Sequence, residues 1–305
     1  MSLARQIRRL RKGKEVPAAR KRRKPMFEPL EPRLLLDADL SFGMTEDAND
    51  LTLKSSPVGD VDELQIINTD TSVVLDRLTL SGSTEVEIIG SDQDDVLRLD
   101  LDFDSLLESL SIVFQGGEGN DTLMGPATDN RWEITGADEG SLNRMVDFSS
   151  VENLVGAVDN QDTFLFAPGG SISGVIDGGE GGFDSLGIQG GNYETVVFTA
   201  TGPDSGSIVL DQTVIAYKGL EPTEVRGGTI ADVIIDLSVL DGTFTSSSDV
   251  ARLSLSGGMV TFESNPPSGG STFESFSFGV PSGSLAIKLG DGDDELHISA
   301  LDPFD

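Results

Sequence analysis

A Gly-rich turn, an aspartate and then an alternating apolar run recur along this chain. The cleanest copy is Gly116-Gly117-Glu118-Gly119-Asn120-Asp121-Thr122-Leu123. Looser copies are Gly178-Gly179-Glu180-Gly181-Gly182-Phe183-Asp184-Ser185-Leu186 and Gly290-Asp291-Gly292-Asp293-Asp294-Glu295-Leu296. Such a phrase combines a tight turn, an oxygen-rich loop and the start of a strand. Oxygen donors of this kind suit calcium rather than zinc. The same residues have a purely structural use. Glycine supplies a positive φ, and aspartate caps the turn by bonding backbone groups. The sequence leaves both uses open.

Other chemistries find less support. Cysteine is absent, which removes disulfides, thiolate metal sites and a Cys nucleophile. The single histidine, His297, stands in an alternating run near the C-terminus and reads as a neutral surface residue. No Gly-rich stretch leads into Lys-Ser or Lys-Thr at a helix start, so a phosphate loop is not indicated. Paired carboxylates can cleave polysaccharides, but among 52 acidic residues pairs arise by chance. The expected function is therefore a non-catalytic structural or adhesin-like repeat protein, and the alternative is a solenoid enzyme acting on polysaccharide.

The elements that must carry the turns are short strands. Period-2 alternation runs through residues 50–53, 63–66, 76–80, 85–88, 96–101 and 253–255, each bounded by Gly, Asp, Asn or Ser. One helical turn is expected at Ser105-Leu106-Leu107-Glu108, a capping-box pattern. An aspartate precedes strand-like runs at Asp95, Asp121, Asp162, Asp184, Asp232 and Asp294, at intervals of 26, 41, 22, 48 and 62 residues. Read as multiples of a coil of roughly 20–26 residues, these intervals predict an all-β, irregular parallel β-solenoid; a β-sandwich is the alternative. Trp132 and Phe148 are expected in its core.

Charge divides the chain sharply. Residues 1–36 carry a net +9 and the remainder −40. The acidic body repels nucleic acid and anionic membrane and attracts multivalent cations. No apolar run approaches the ~18 residues of a membrane span, and no cleavable signal peptide is evident. Residues 1–24 form a basic arm with almost nothing to bury, expected to be disordered and to serve export or surface association.

The next segment, within residues 25–40, contains Leu30-Glu31-Pro32-Arg33-Leu34-Leu35-Leu36. It resembles the LEPR-XLL segment of very large bacterial surface or secreted proteins. That resemblance implies a sorting role, engagement of export machinery, and cell-envelope or matrix partners. Residues 132–179, from Trp132-Glu133-Ile134-Thr135-Gly136 through Asp162-Thr163-Phe164 to Gly178-Gly179, resemble units of large bacterial proteins that also carry RTX, or hemolysin-type, calcium-binding repeats. The three Gly/Asp phrases are similar to the RTX nonapeptide. This similarity implies calcium ligation by Gly116, Gly117, Gly119 and Asp121, by Gly178, Gly179 and Asp184, and by Gly290, Asp291, Gly292 and Asp294, with Asp121 and Asp294 the foremost ligands. The phrases are widely separated, however, whereas RTX calcium sites lie between adjacent repeats. The body, residues 41–305, is expected to divide at 41–130, 131–222 and 223–305. The abrupt finish after a repeat phrase suggests the N-terminal part of a larger polypeptide.

Overall fold

A computed structural model describes residues 39–58, 61–80, 83–102, 110–238, 249–266 and 271–299. The basic arm, the LEPR-like segment and the turn expected at 105–108 lie outside these residues.

The described residues are all β. In chain order the strands begin with β1 (Leu40–Gly43), β2 (Asp50–Val58), β3 (Val61–Asn68), β4 (Val73–Thr79), β5 (Thr84–Ile89), β6 (Val96–Asp100), β7 (Leu110–Gln115) and β8 (Thr122–Met124). Then come β9 (Arg131–Gly136), β10 (Glu139–Leu142), β11 (Val146–Ser149), β12 (Asn153–Val155), β13 (Thr163–Phe166), β14 (Val175–Asp177), β15 (Ser185–Gln189), β16 (Asn192–Ala200) and β17 (Gly206–Leu210). The last are β18 (Thr213–Lys218), β19 (Thr223–Arg226), β20 (Thr229–Asp236), β21 (Val250–Ser256), β22 (Met259–Ser264), β23 (Phe276–Gly279), β24 (Ser284–Lys288) and β25 (Glu295–Ser299). Each alternating run read from the sequence falls in a strand, to within a residue at one end.

Two sheets of 13 and 12 strands face one core, and the chain passes back and forth between them. Successive strands of a sheet pair mostly in parallel, as a solenoid requires. Val86 stands against Ile112 and Ile112 against Val146 in the first sheet; Leu97, Leu123, Leu154 and Ile176 are matched likewise in the second. Period-2 alternation makes this stack work. In β5, Thr84, Val86 and Ile88 point inward while Glu85 and Glu87 face water, so identical inward positions build apolar ladders. On the outer face of the second sheet, cations pair with acids one coil away: Arg98 with Asp50, Lys218 with Asp177 and Lys288 with Asp236. Exposed pairs of this kind each contribute only about 0–1 kcal/mol, so the stack must be held elsewhere.

The coils are irregular because antiparallel three-strand meanders interrupt them. In the first sheet the order is β7-β11-β10-β9-β13: the chain overshoots by two places at β9, then fills the gap backward through β10 and β11. Strands β16–β18 do the same in the second sheet, and β21–β23 in the first. Insertions alternate between sheets, which keeps the two faces matched in length. Pairing in both sheets continues across residues 130–131 and 222–223. Irregular spacing is thereby explained. Intervals of 26 and 22 residues are single coils, whereas Asp121 and Asp162 lie on opposite edges and Asp232 lies inside β20.

Trp132 is fully buried, stacked on Phe164 at 5.4 Å and edge-on to Phe148 at 6.3 Å, as expected for core residues. Its indole N–H makes no hydrogen bond. Trp132→Ala should therefore destabilise the fold by about 3–5 kcal/mol, and Trp132→Phe by much less, as measured by denaturant unfolding. Equal losses would show that the indole nitrogen, not packing, holds this site.

Candidate functional site: the acidic corners

Each passage between sheets is a corner, and corners stack on two edges. One edge holds the turns at 90–95, 116–121 and 150–152. The other holds those at 125–130, 156–162, 178–184, 219–222 and 289–294. A polar residue recurs two places before the first inward side chain of the next strand. The pairs are Asp95 and Leu97, Asp121 and Leu123, Glu152 and Leu154, Asn130 and Trp132, Asp162 and Phe164, Asp184 and Leu186, and Asp294 and Leu296.

These residues bond across coils. The Asp95 N–H donates to Asp121 Oδ1 at 2.8 Å, and the Asp121 N–H donates to Glu152 Oε2 at 2.7 Å. On the opposite edge the Asn130 N–H donates to Asp162 Oδ1 (2.8 Å), the Asp162 N–H to Asp184 Oδ1 (2.7 Å) and the Asp249 N–H to Asp294 Oδ1 (3.0 Å). Companion bonds run the other way, from the Asn120 N–H to Asp94 Oδ1 and from the Gln161 N–H to Asp129 Oδ1, both 2.9 Å. Asp121, Glu152, Asp162, Asp184 and Asp294 thus each close a backbone donor of the preceding coil, and hydrogen bonds to a charged group are the stronger kind.

The glycines of the phrase serve the same contact. A Cβ on Gly116 would lie 1.9 Å from the Ser150 carbonyl oxygen of the next coil. Gly119 has φ +129°, and a Cβ there would lie 2.4 Å from the Gln93 carbonyl oxygen of the previous coil. The neighbour that the isolated phrase lacked in sequence is the degenerate turn Gly90-Ser91-Asp92-Gln93-Asp94-Asp95, 26 residues upstream. The turn at Gly178, Gly179 and Asp184 stacks likewise on residues 156–162. The turn containing Gly290, Asp291, Gly292 and Asp294 lies on that same edge, with β25 five places beyond β15 in the sheet.

The structure therefore does not bring the three predicted calcium loops together. Asp121 is fully buried, with Oδ1 on a peptide N–H and Oδ2 without a hydrogen-bond partner. Calcium takes six to eight oxygens, and among the described residues no three acidic or histidine side chains are grouped to hold a metal. Through one oxygen each, Asp121, Asp162, Asp184 and Asp294 already face a peptide donor. His297 is half-exposed in β25, 3.1 Å from Glu295.

Burial pushes the Asp121 carboxyl up to about 6, against the Asp95 N–H and helped by repulsion from Asp95, Glu152 and Asp94. Asp184 rises to about 6 through burial, with Asp162, Asp129 and Asp177 adding repulsion against the Asp162 N–H. Asp162 is raised by burial and restrained by bonds from Asn160, Asn130 and Ala157. Sequence reasoning missed Glu152, Asn130 and Asp249, and missed Glu274, which stands two places before the buried Phe276. Its carboxyl is fully buried beside the Tyr217 and Thr223 hydroxyls; burial drives it to about 9, these two hydroxyls opposing the rise and Glu221 and Asp204 adding to it. The usable signal was the two-residue offset, not the glycines.

The raised acids give stability that is full below their unfolded value of 3.8 and lost as pH rises through about 6. Lowering pH from neutrality toward 5 should therefore raise the melting temperature, and Asp121→Asn should flatten that slope. Asp121→Ala should fall below Asp121→Asn by about 1–3 kcal/mol, because only alanine leaves the Asp95 N–H without an acceptor. Equal stability of the two variants would remove the lock. Glu274 behaves alike over a higher range, from its unfolded 4.5 to about 9; Glu274→Gln should abolish the loss of stability across that window, seen as unfolding midpoints against pH.

The chain matches no known protein-family model and no curated protein.

Proposed function

We propose that the acidic β-solenoid is a non-catalytic structural module, adhesin-like in role, of a secreted or cell-surface protein. The observation that supports this reading is the use of its carboxylates. The acids that look reactive in sequence are buried at corners, where they accept backbone N–H groups from neighbouring coils. Such a module presents two long sheets at fixed spacing. Thirteen strands stacked at about 4.8 Å extend on the order of 60 Å along the first sheet, a length suited to a spacer. The lack of cysteine, the −40 charge outside the first 36 residues and the LEPR-like segment agree with an exported protein.

In this reading calcium is dispensable for folding, since one oxygen of each locking carboxylate already accepts a peptide N–H. Thermal melting of the full chain in calcium and in chelator tests this. The midpoint should be unchanged. A midpoint that climbs with calcium concentration, as binding to the folded form alone requires, would contradict it and restore the corners as ion sites. Release of reducing ends from polysaccharide by the purified chain would instead favour the enzymatic alternative.

A further inference from the structure

The second meander creates a recess that the corner locks do not use. Strands β14 and β16 are separated in the second sheet by β18 and β17. Their entry corners, at residues 167–174 and 190–191, therefore stand three strand spacings apart, roughly 14 Å. Because β17 runs antiparallel to β16, its turn into β18 returns to this same edge and forms the floor of the gap. The result is a groove of about 300 Å³ lined by Gly169, Gly170, Asn192, Tyr193, Asp211 and Gln212.

Asp211 and Asn192 are held in place yet keep free valences. The Thr195 N–H donates to Asp211 Oδ1 at 2.8 Å, and the Asp211 N–H donates to the Thr195 carbonyl at 2.9 Å, which fixes the turn. Asn192 Oδ1 lies 2.9 Å from the Thr229 hydroxyl that donates to it, leaving the amide N–H groups of Asn192 for another partner. Tyr193 is half-buried, and its ring lies over Gly191 so closely that a Cβ there would be 2.3 Å from the phenol oxygen. Gly191 has φ +90°, a backbone conformation that also favours glycine. The lining thus combines an anchored aromatic, two carboxamides and one carboxylate, with no cation.

We propose that this groove is a binding site for a neutral saccharide, one pyranose ring packing against Tyr193 while Asp211, Asn192 and Gln212 bond its hydroxyls. Apolar sugar C–H faces suit an aromatic ring, and neighbouring hydroxyls suit side chains that both donate and accept. The missing cation and the acidic body exclude uronates and sulfated sugars. The volume falls at the lower end of small-molecule sites. A lone carboxylate in the lining provides binding rather than cleavage, which needs a pair. The site stands whether or not calcium binds the corners.

The test is saturation-transfer NMR on the full chain with maltotetraose, cellotetraose and tetraacetyl-chitotetraose, each at ~1 mM, a concentration that reveals weak sites. At least one should receive saturation. Tyr193→Ala should weaken its binding by about tenfold, and Gln212→Ala, an exposed change that leaves the fold intact, by about fivefold. Transfer to none of the three would overturn the proposal. So would transfer unaffected by Gln212→Ala in a folded variant, or binding of a trilysine peptide in place of the sugars, which would mark the groove as a cation receptor.

Discussion

A backbone N–H that turns a corner inside a stacked coil is out of reach of water and of the sheet's own ladder. Leaving it without an acceptor costs about 1–3 kcal/mol, and this problem recurs at every coil. At five corners a carboxylate answers it, reaching back from the following coil, as Asp121 does to Asp95, Glu152 to Asp121 and Asp184 to Asp162. Register follows from the same bond. A coil slipped by one residue would place the carboxylate opposite a carbonyl and turn every inward side chain to solvent. The bond itself is compromised by crowding of like charges, which is why burial and neighbouring acids push Asp121 and Asp184 up to about 6.

Variation is confined to what the corners tolerate. Meanders enter between corners, and the first of them leaves the locks on either side intact. Because they alternate between sheets, neither apolar face outgrows the other. One meander also leaves a recess where its return turn meets two widely spaced corners. A scaffold that repeats is thereby given a place that does not, and Tyr193 and Asp211 occupy it.

Strand positions were legible because half-buried strands must alternate, and alternation survives in runs such as Thr84–Ile89 even where coil length drifts. The solenoid was legible from the 26- and 22-residue offsets, which are true single coils. Multiples built on Asp232 were misleading, since that aspartate lies within β20 and not at a corner. The Gly116–Asp121 phrase marked a corner and left its use open. Which partner a carboxylate faces depends on the coil stacked against it, and residues 90–95 retain too little of the phrase to announce themselves. Glu152 does the same work with a longer side chain, and Asn130 supplies only the peptide N–H that Asp162 accepts, so no composition-based pattern includes them. The groove was invisible to sequence because it arises from strand order, which local periodicity does not encode.

Amide hydrogen exchange of the full chain in chelator-treated buffer bears most directly on the corner locks. The Asp95 and Asp162 amides should be protected to the same degree as the strand amides beside them, and Asp121→Ala should release Asp95 while leaving Asp162 slow. Rapid exchange of both amides in the metal-free chain, slowed only when calcium is added, would contradict the locks and give the corners to the ion.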